Sequence, residues 1–100
     1  MHKEDYRSLV AKVAVMNRML SFQAEEAGLD RFLPLLERMR AEGAVLFMKL
    51  DGGRRGRPYT AWVSGRVLKG EFFRTDSGSM EDALAYIIVH YARSQWGFAE

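Results

Sequence analysis

Apolar positions in residues 4–27 recur with a helical period. Taking about 100° per residue from Val13, the positions of Tyr6, Leu9, Val10, Met16, Leu20, Ala24 and Ala27 fall within about 60° of one direction. This predicts one long helix with a core-facing stripe. Gly28 follows where a left-handed C-cap is wanted. Asp30 is placed to cap a second helix whose apolar residues are Phe32, Leu33, Leu35, Leu36 and Met39, with Pro34 in its first turn. Arg38 and Arg40 suit the negative end of that helix, and Gly43 stops it.

After Gly43 the period changes. Residues 44–50 and 59–63 are short, strongly apolar runs that predict two strands, joined by the glycine-rich loop 51–58. Ser64-Gly65 fits a tight hairpin turn, and residues 66–75 read as a third strand with Gly70 as a bulge. Ser77-Gly78 breaks the chain again. Ser79 opens a capping pattern with Asp82, and a last helix follows with Met80, Ala83, Leu84, Ile87 and Tyr91 on one face, ending before Gly97. The expected fold class is therefore α+β: two N-terminal helices, a three-stranded antiparallel meander, and a C-terminal helix packed on the sheet.

At 100 residues the expectation is one domain spanning 1–100. The 48% hydrophobic content fits a globular chain rather than a disordered one. With no cysteine, a disulfide framework, a cysteine-zinc site and a thiol nucleophile are excluded. The first residues mix both signs of charge, unlike a signal peptide, and Lys12, Asn17 and Arg18 interrupt the first apolar stretch. The expected location is the cytoplasm, with no membrane contact.

Enzymatic chemistry finds no support in the spacing. His2 lies near the chain start, and His90 falls beside the core face of the last helix, so neither has a partner at metal-ligand spacing. Glu25 and Glu26 are adjacent on a helix and do not face each other. The serines lack a nucleophile elbow. Gly52-Gly53-Arg54-Arg55-Gly56 lacks the Lys-Ser/Thr and the following helix of a phosphate loop. No catalytic residue, metal ligand or cofactor is expected.

Binding surfaces are better represented. Arg54, Arg55 and Arg57 present planar donor forks that suit phosphates or carboxylates, or else they solvate a hairpin tip. Arg66 and Lys69 extend the basic segment. Ala11, Val15, Met19 and Phe22 form a second apolar stripe on the first helix, opposite its core stripe. That stripe is either wrapped by the rest of the domain or is a homodimer or partner seam. In the sheet, Val45 and Phe47 share one side of the first strand, and Thr60 and Trp62 share one side of the second. The expectation there is core under a helix, with base stacking as the alternative. The net charge of +2 conceals a segregation: residues 1–43 are neutral, 44–75 carry +5, and 76–100 carry −3.

From Asp30 to Trp96 the order helix-strand-strand-strand-helix resembles a double-stranded-RNA-binding domain, with residues 62–70 similar to that family's second hairpin. That resemblance would imply RNA binding through a lysine cluster at the start of the last helix, a place held here by Ser79-Met80-Glu81-Asp82. In size and architecture the chain also resembles small stoichiometric inhibitors of bacterial and phage origin, the anti-CRISPR and toxin-immunity proteins. That second resemblance implies a non-enzymatic inhibitor that occupies a protein partner's surface, and the basic segment 44–75, read as one surface, points to an acidic partner. A nucleic-acid-binding module using the arginine loop is the alternative.

Overall fold

The computed structural model describes residues 5–17 and 29–100. Helix α1 spans Tyr6–Met16; Asp5 caps it by accepting from the Ser8 amide at 3.3 Å and from the Ser8 hydroxyl at 2.8 Å. The helix expected to continue to residue 27 stops at Asn17, whose side-chain amide donates to the Val13 carbonyl at 2.9 Å. The same carbonyl also accepts the Asn17 backbone amide at 3.1 Å, so the side chain folds back onto the last helical turn. The remainder of the expected helix, with its Gly28 cap, lies outside the described residues. Val10 and Val13 are buried as the periodicity implies and Ala14, outside the stripe, is buried with them, but Met16, expected in the core, is 41% exposed.

Helix α2 spans Leu33–Ala41 and is preceded by a 3₁₀ turn, Asp30–Phe32. Asp30 does not cap it. Phe32 holds the cap position without a side-chain hydrogen bond, and Pro34, lacking an N–H, removes one of the donors a cap would serve. Leu33, expected in the core, is exposed, whereas Leu35 and Met39 are buried. Gly43, at φ +96°, ends the helix in the left-handed region and donates to the Arg40 carbonyl at 3.0 Å.

The sheet has the order β1-β2-β3, from β1 (Ala44–Leu50), β2 (Tyr59–Gly65) and β3 (Phe73–Ser77), both pairs antiparallel. The expected turn at Ser64-Gly65 belongs to β2 instead. Gly65, at φ +120°, closes the strand where an added Cβ would lie 2.5 Å from the Gly43 carbonyl oxygen. Residues Arg66–Leu68 form a 3₁₀ turn, Lys69 and Gly70 take left-handed conformations, and β3 starts only at Phe73. Gly70 is therefore a turn residue and not a bulge. The adjacent apolar residues Val67 and Leu68 read as strand, yet the turn places Leu68 in the core.

Helix α3 spans Met80–Gln95, with the Ser79 hydroxyl accepting from the Asp82 amide at 3.0 Å as expected. Eight of its residues are buried, including Ala85, Ile88, Val89 and Ala92 beyond the expected face. Burial this extensive follows from its place in the middle: α3 packs on β2 and β3 on one side and on α1 on the other, while α2 packs beside β1. All three helices thus lie toward the sheet face carrying Ala61, Val63 and Phe73. Glu42, after α2, joins the C-terminal end of α3 by accepting from Tyr91 Oη at 2.7 Å and Trp96 Nε1 at 2.9 Å.

Candidate binding face on the open side of the sheet

Alternation along the strands builds the second sheet face from Val45, Phe47 and Lys49 on β1, Thr60, Trp62 and Ser64 on β2, and Arg74 and Asp76 on β3. The register pairs Phe47 with Trp62 and Trp62 with Arg74. No described element covers this face. Phe47 is 63% exposed and Trp62 42%, so the expectation that these aromatics are core under a helix is overturned. The helices satisfy the other face, and described residues leave none for this one.

Phe72, just before β3, joins the row. Its ring centroid lies 5.3 Å from that of Trp62, which lies 6.4 Å from that of Phe47. The rings are tilted by 45° and 53° to one another, within the separations at which aromatic pairs attract. With Val45 beside Phe47, they make one continuous apolar row in water. The signal for Phe72 was present in the Phe72-Phe73 pair, since adjacent strand residues point to opposite faces. The displaced third strand concealed it.

A polar network borders the row. The Thr60 hydroxyl donates to Asp76, and Arg54 Nη2 reaches Thr60 Oγ1 at 3.0 Å and Asp76 Oδ1 at 3.5 Å. Arg74 Nη2 also lies 3.5 Å from Asp76 Oδ1. The Thr60 hydrogen bond, with Arg74 and Arg54 nearby, holds the Asp76 carboxyl below its usual range. Arg54 is thus a half-buried tie between the β1–β2 loop and β3, while Arg55 and Arg57 are exposed. Arg66 and Lys69 are exposed at the opposite end of β2, a strand's length of about 20 Å away. The five basic residues therefore form two groups at the two ends of the sheet.

The first-helix stripe is described only in part. Val15 is 75% exposed and Ala11 half-buried, and both border a groove with Met16 and Phe98; Met19 and Phe22 lie outside the described residues, as do Glu25 and Glu26. His90 sits half-buried among rings, with Tyr86 at 4.2 Å between centroids and Tyr6 Oη 3.3 Å from its Nε2. A polar cleft between α1 and β3 is lined by Asp5, Asp76 and Asp82 with Arg57 and Tyr86. Each of those carboxylates already accepts from a neighbour: Asp5 from Ser8, Asp76 from Thr60, Asp82 from Arg7. Among the described residues no group of three or more His, Asp or Glu could hold a metal ion, and no helix is long and apolar enough to cross a membrane. Comparison with protein-family models, curated proteins and solved structures gives no significant match to this chain.

Proposed function

We propose that this chain is a non-enzymatic binding module that inhibits a protein partner by covering its surface with the open face of the sheet. The observation that carries this reading is the exposed row Phe47–Trp62–Phe72 on rigid strands. Half-exposed as they are, these aromatics forgo about 1 kcal/mol or more each of burial free energy, which a partner restores. Tryptophan at the centre of such a row is the residue type that most often dominates an interface. Lys49 and Arg74 on the same face, with Arg55 and Arg57 at the loop, favour a partner that carries carboxylates around an apolar centre. Inhibition of a CRISPR effector or capping of a toxin is the finer form of this proposal, supported by size and architecture.

Single-stranded nucleic acid is the second reading, favoured by aromatic rings beside basic side chains. The protein reading is preferred because Asp76 stands within the same face and Arg54 and Arg74 are turned toward it. The mutually tilted rings also form a contiguous apolar surface rather than separate flat platforms.

The test compares wild type with Phe47→Ser/Trp62→Ala in nuclease-treated native-host lysate, alongside oligonucleotide titrations at low salt. The expected result is a protein retained by wild type and released by the variant at unchanged melting temperature. Equal retention by both forms refutes the use of this face. A salt-sensitive oligonucleotide complex lost in the variant, with no retained protein, transfers the face to nucleic acid.

A further inference from the structure

Strand β1 is an edge strand, and its seven residues are largely exposed on both sides. Val45, Leu46, Phe47 and Leu50 expose between 37% and 63% of their surface. Its ladder phase can be read from the loop. The Asp51 amide donates to the Pro58 carbonyl at 2.8 Å, one step beyond the Leu50–Tyr59 pair. Antiparallel ladder bonds recur at every second residue, so Val45, Phe47 and Lys49 turn their backbone groups toward β2. Ala44, Leu46, Met48 and Leu50 turn theirs outward, and no described residue pairs with them. Soluble proteins usually blunt such an edge with charge, proline or a bulge; β1 has only Lys49.

We infer that a second copy of this chain occupies that edge, pairing β1 with β1 antiparallel about a two-fold axis through Phe47. In this register Ala44 faces Leu50 of the second copy and Leu46 faces Met48, so every outward backbone group meets an outward one. Phe47 then faces its own equivalent in a non-hydrogen-bonded pair, where side chains approach most closely. Lys49 faces Val45, so no like charges oppose one another. The helix side fits as well. A groove of about 130 Å³ between α2 and β1 is lined by Leu36, Met39, Arg40, Ala44 and Leu46. Because Ala44 faces Leu50 of the other copy, that 62%-exposed leucine is delivered to the mouth of the groove, once on each side of the axis.

The exposed apolar groups of β1 amount to several hundred Å² per copy, against the about 800 Å² of a standard interface. The dimer is therefore reversible and dissociates on dilution. It extends the three-stranded sheet to six and joins two aromatic rows end to end through Phe47, presenting the open face twice to any partner.

Sedimentation equilibrium of the purified chain from micromolar to millimolar concentration tests this without any partner. The mass should rise from 11.5 kDa toward twice that value. Leu46→Lys and Leu50→Lys should each weaken the association at least tenfold, whereas Trp62→Ala should leave it unchanged. Since the chain has no cysteine, Phe47→Cys should oxidise to a covalent dimer much faster than Val45→Cys, which faces Lys49 in this register. A monomer at every concentration overturns the inference. So does a dimer that survives both lysine substitutions, or equal crosslinking at the two cysteine positions. Loss of partner retention in Trp62→Ala with dimerisation intact separates this inference from the proposed binding face.

Discussion

Replacing Glu42 with alanine removes the carboxylate that fastens the C-terminal end of α3 to α2. It accepts from Tyr91 Oη at 2.7 Å, from Trp96 Nε1 at 2.9 Å and from Arg38 Nε at 3.0 Å. Tyr91 is fully buried, so deleting the carboxylate leaves its hydroxyl without its protein acceptor. A buried donor left without a partner costs about 1–3 kcal/mol, and the indole N–H is a second such donor, half-buried. Arg38 remains partly in water, and its loss adds little. The expected cost is about 3 kcal/mol, a fall of roughly 15 °C in melting temperature for a chain of this size. Urea titration with tryptophan fluorescence measures it, because Trp96 itself reports on the site. In a Tyr91→Phe background the same substitution should cost about 1 kcal/mol less, since one of the two orphaned donors is already gone. The pH dependence has a definite sign. Burial works to raise the Glu42 carboxyl, but the bonds from Tyr91, Trp96 and Arg38 outweigh it and leave the group below its ordinary 4.5. A carboxyl lowered on folding contributes stability above its unfolded value and loses it as pH falls through its folded value. Wild type should therefore lose more stability than Glu42→Ala between about pH 5 and pH 3. A cost below about 0.5 kcal/mol, or parallel acid profiles, refutes the account of Glu42 as the clasp.

Gly65→Ala should destabilise by more than about 2 kcal/mol by denaturant titration, because the added Cβ would meet the Gly43 carbonyl oxygen at 2.5 Å in a left-handed backbone. Gly43→Ala, with open space around its Cβ, should cost only about 1 kcal/mol from its positive φ alone. Trp62→Ala should change folding stability by less than about 1 kcal/mol while removing about 2 kcal/mol or more from partner binding by calorimetry, the two effects separating an interface anchor from a core residue. Val15→Ser, at a 75% exposed position, should leave the melting midpoint within about 0.5 kcal/mol of wild type.

Local chemistry was the legible part of this fold. The Ser79 cap of α3, the Gly43 stop of α2 and the apolar run of β1 each depend on residues adjacent in sequence, and each is found where the pattern places it. The errors fall where tertiary partners decide. Residues 66–75 read as a strand with a slip at Gly70, but Gly65 closes against the start of β1, the chain turns early, and the 3₁₀ turn buries Leu68. Period alone pairs Val45 with Phe47 and Thr60 with Trp62 within their strands, and the β1–β2 register then brings the two pairs to one face. Which face the helices would cover was not in the pattern, because both faces of β1 are apolar. The Arg54–Thr60–Asp76 network needs the β2–β3 register, which no local signal specifies.

The charge segregation takes on a different meaning in three dimensions. The +5 of residues 44–75 suggested one basic surface, yet Arg54 and Arg74 converge on Asp76, and the remaining cations divide between the two ends of the sheet. What lies between them is apolar. A chain of 100 residues has little core to spare, so leaving Val45, Phe47, Trp62, Phe72 and most of β1 in water weakens the isolated domain. Pairing through β1 covers Leu46, Leu50 and one edge of Phe47, but it reaches neither Trp62 nor Phe72. The apolar surface thus divides into an edge that a second copy can complete and a face that it cannot. Under the proposed function that face takes a different partner, with the basic groups at its ends orienting the approach and the rings supplying the affinity.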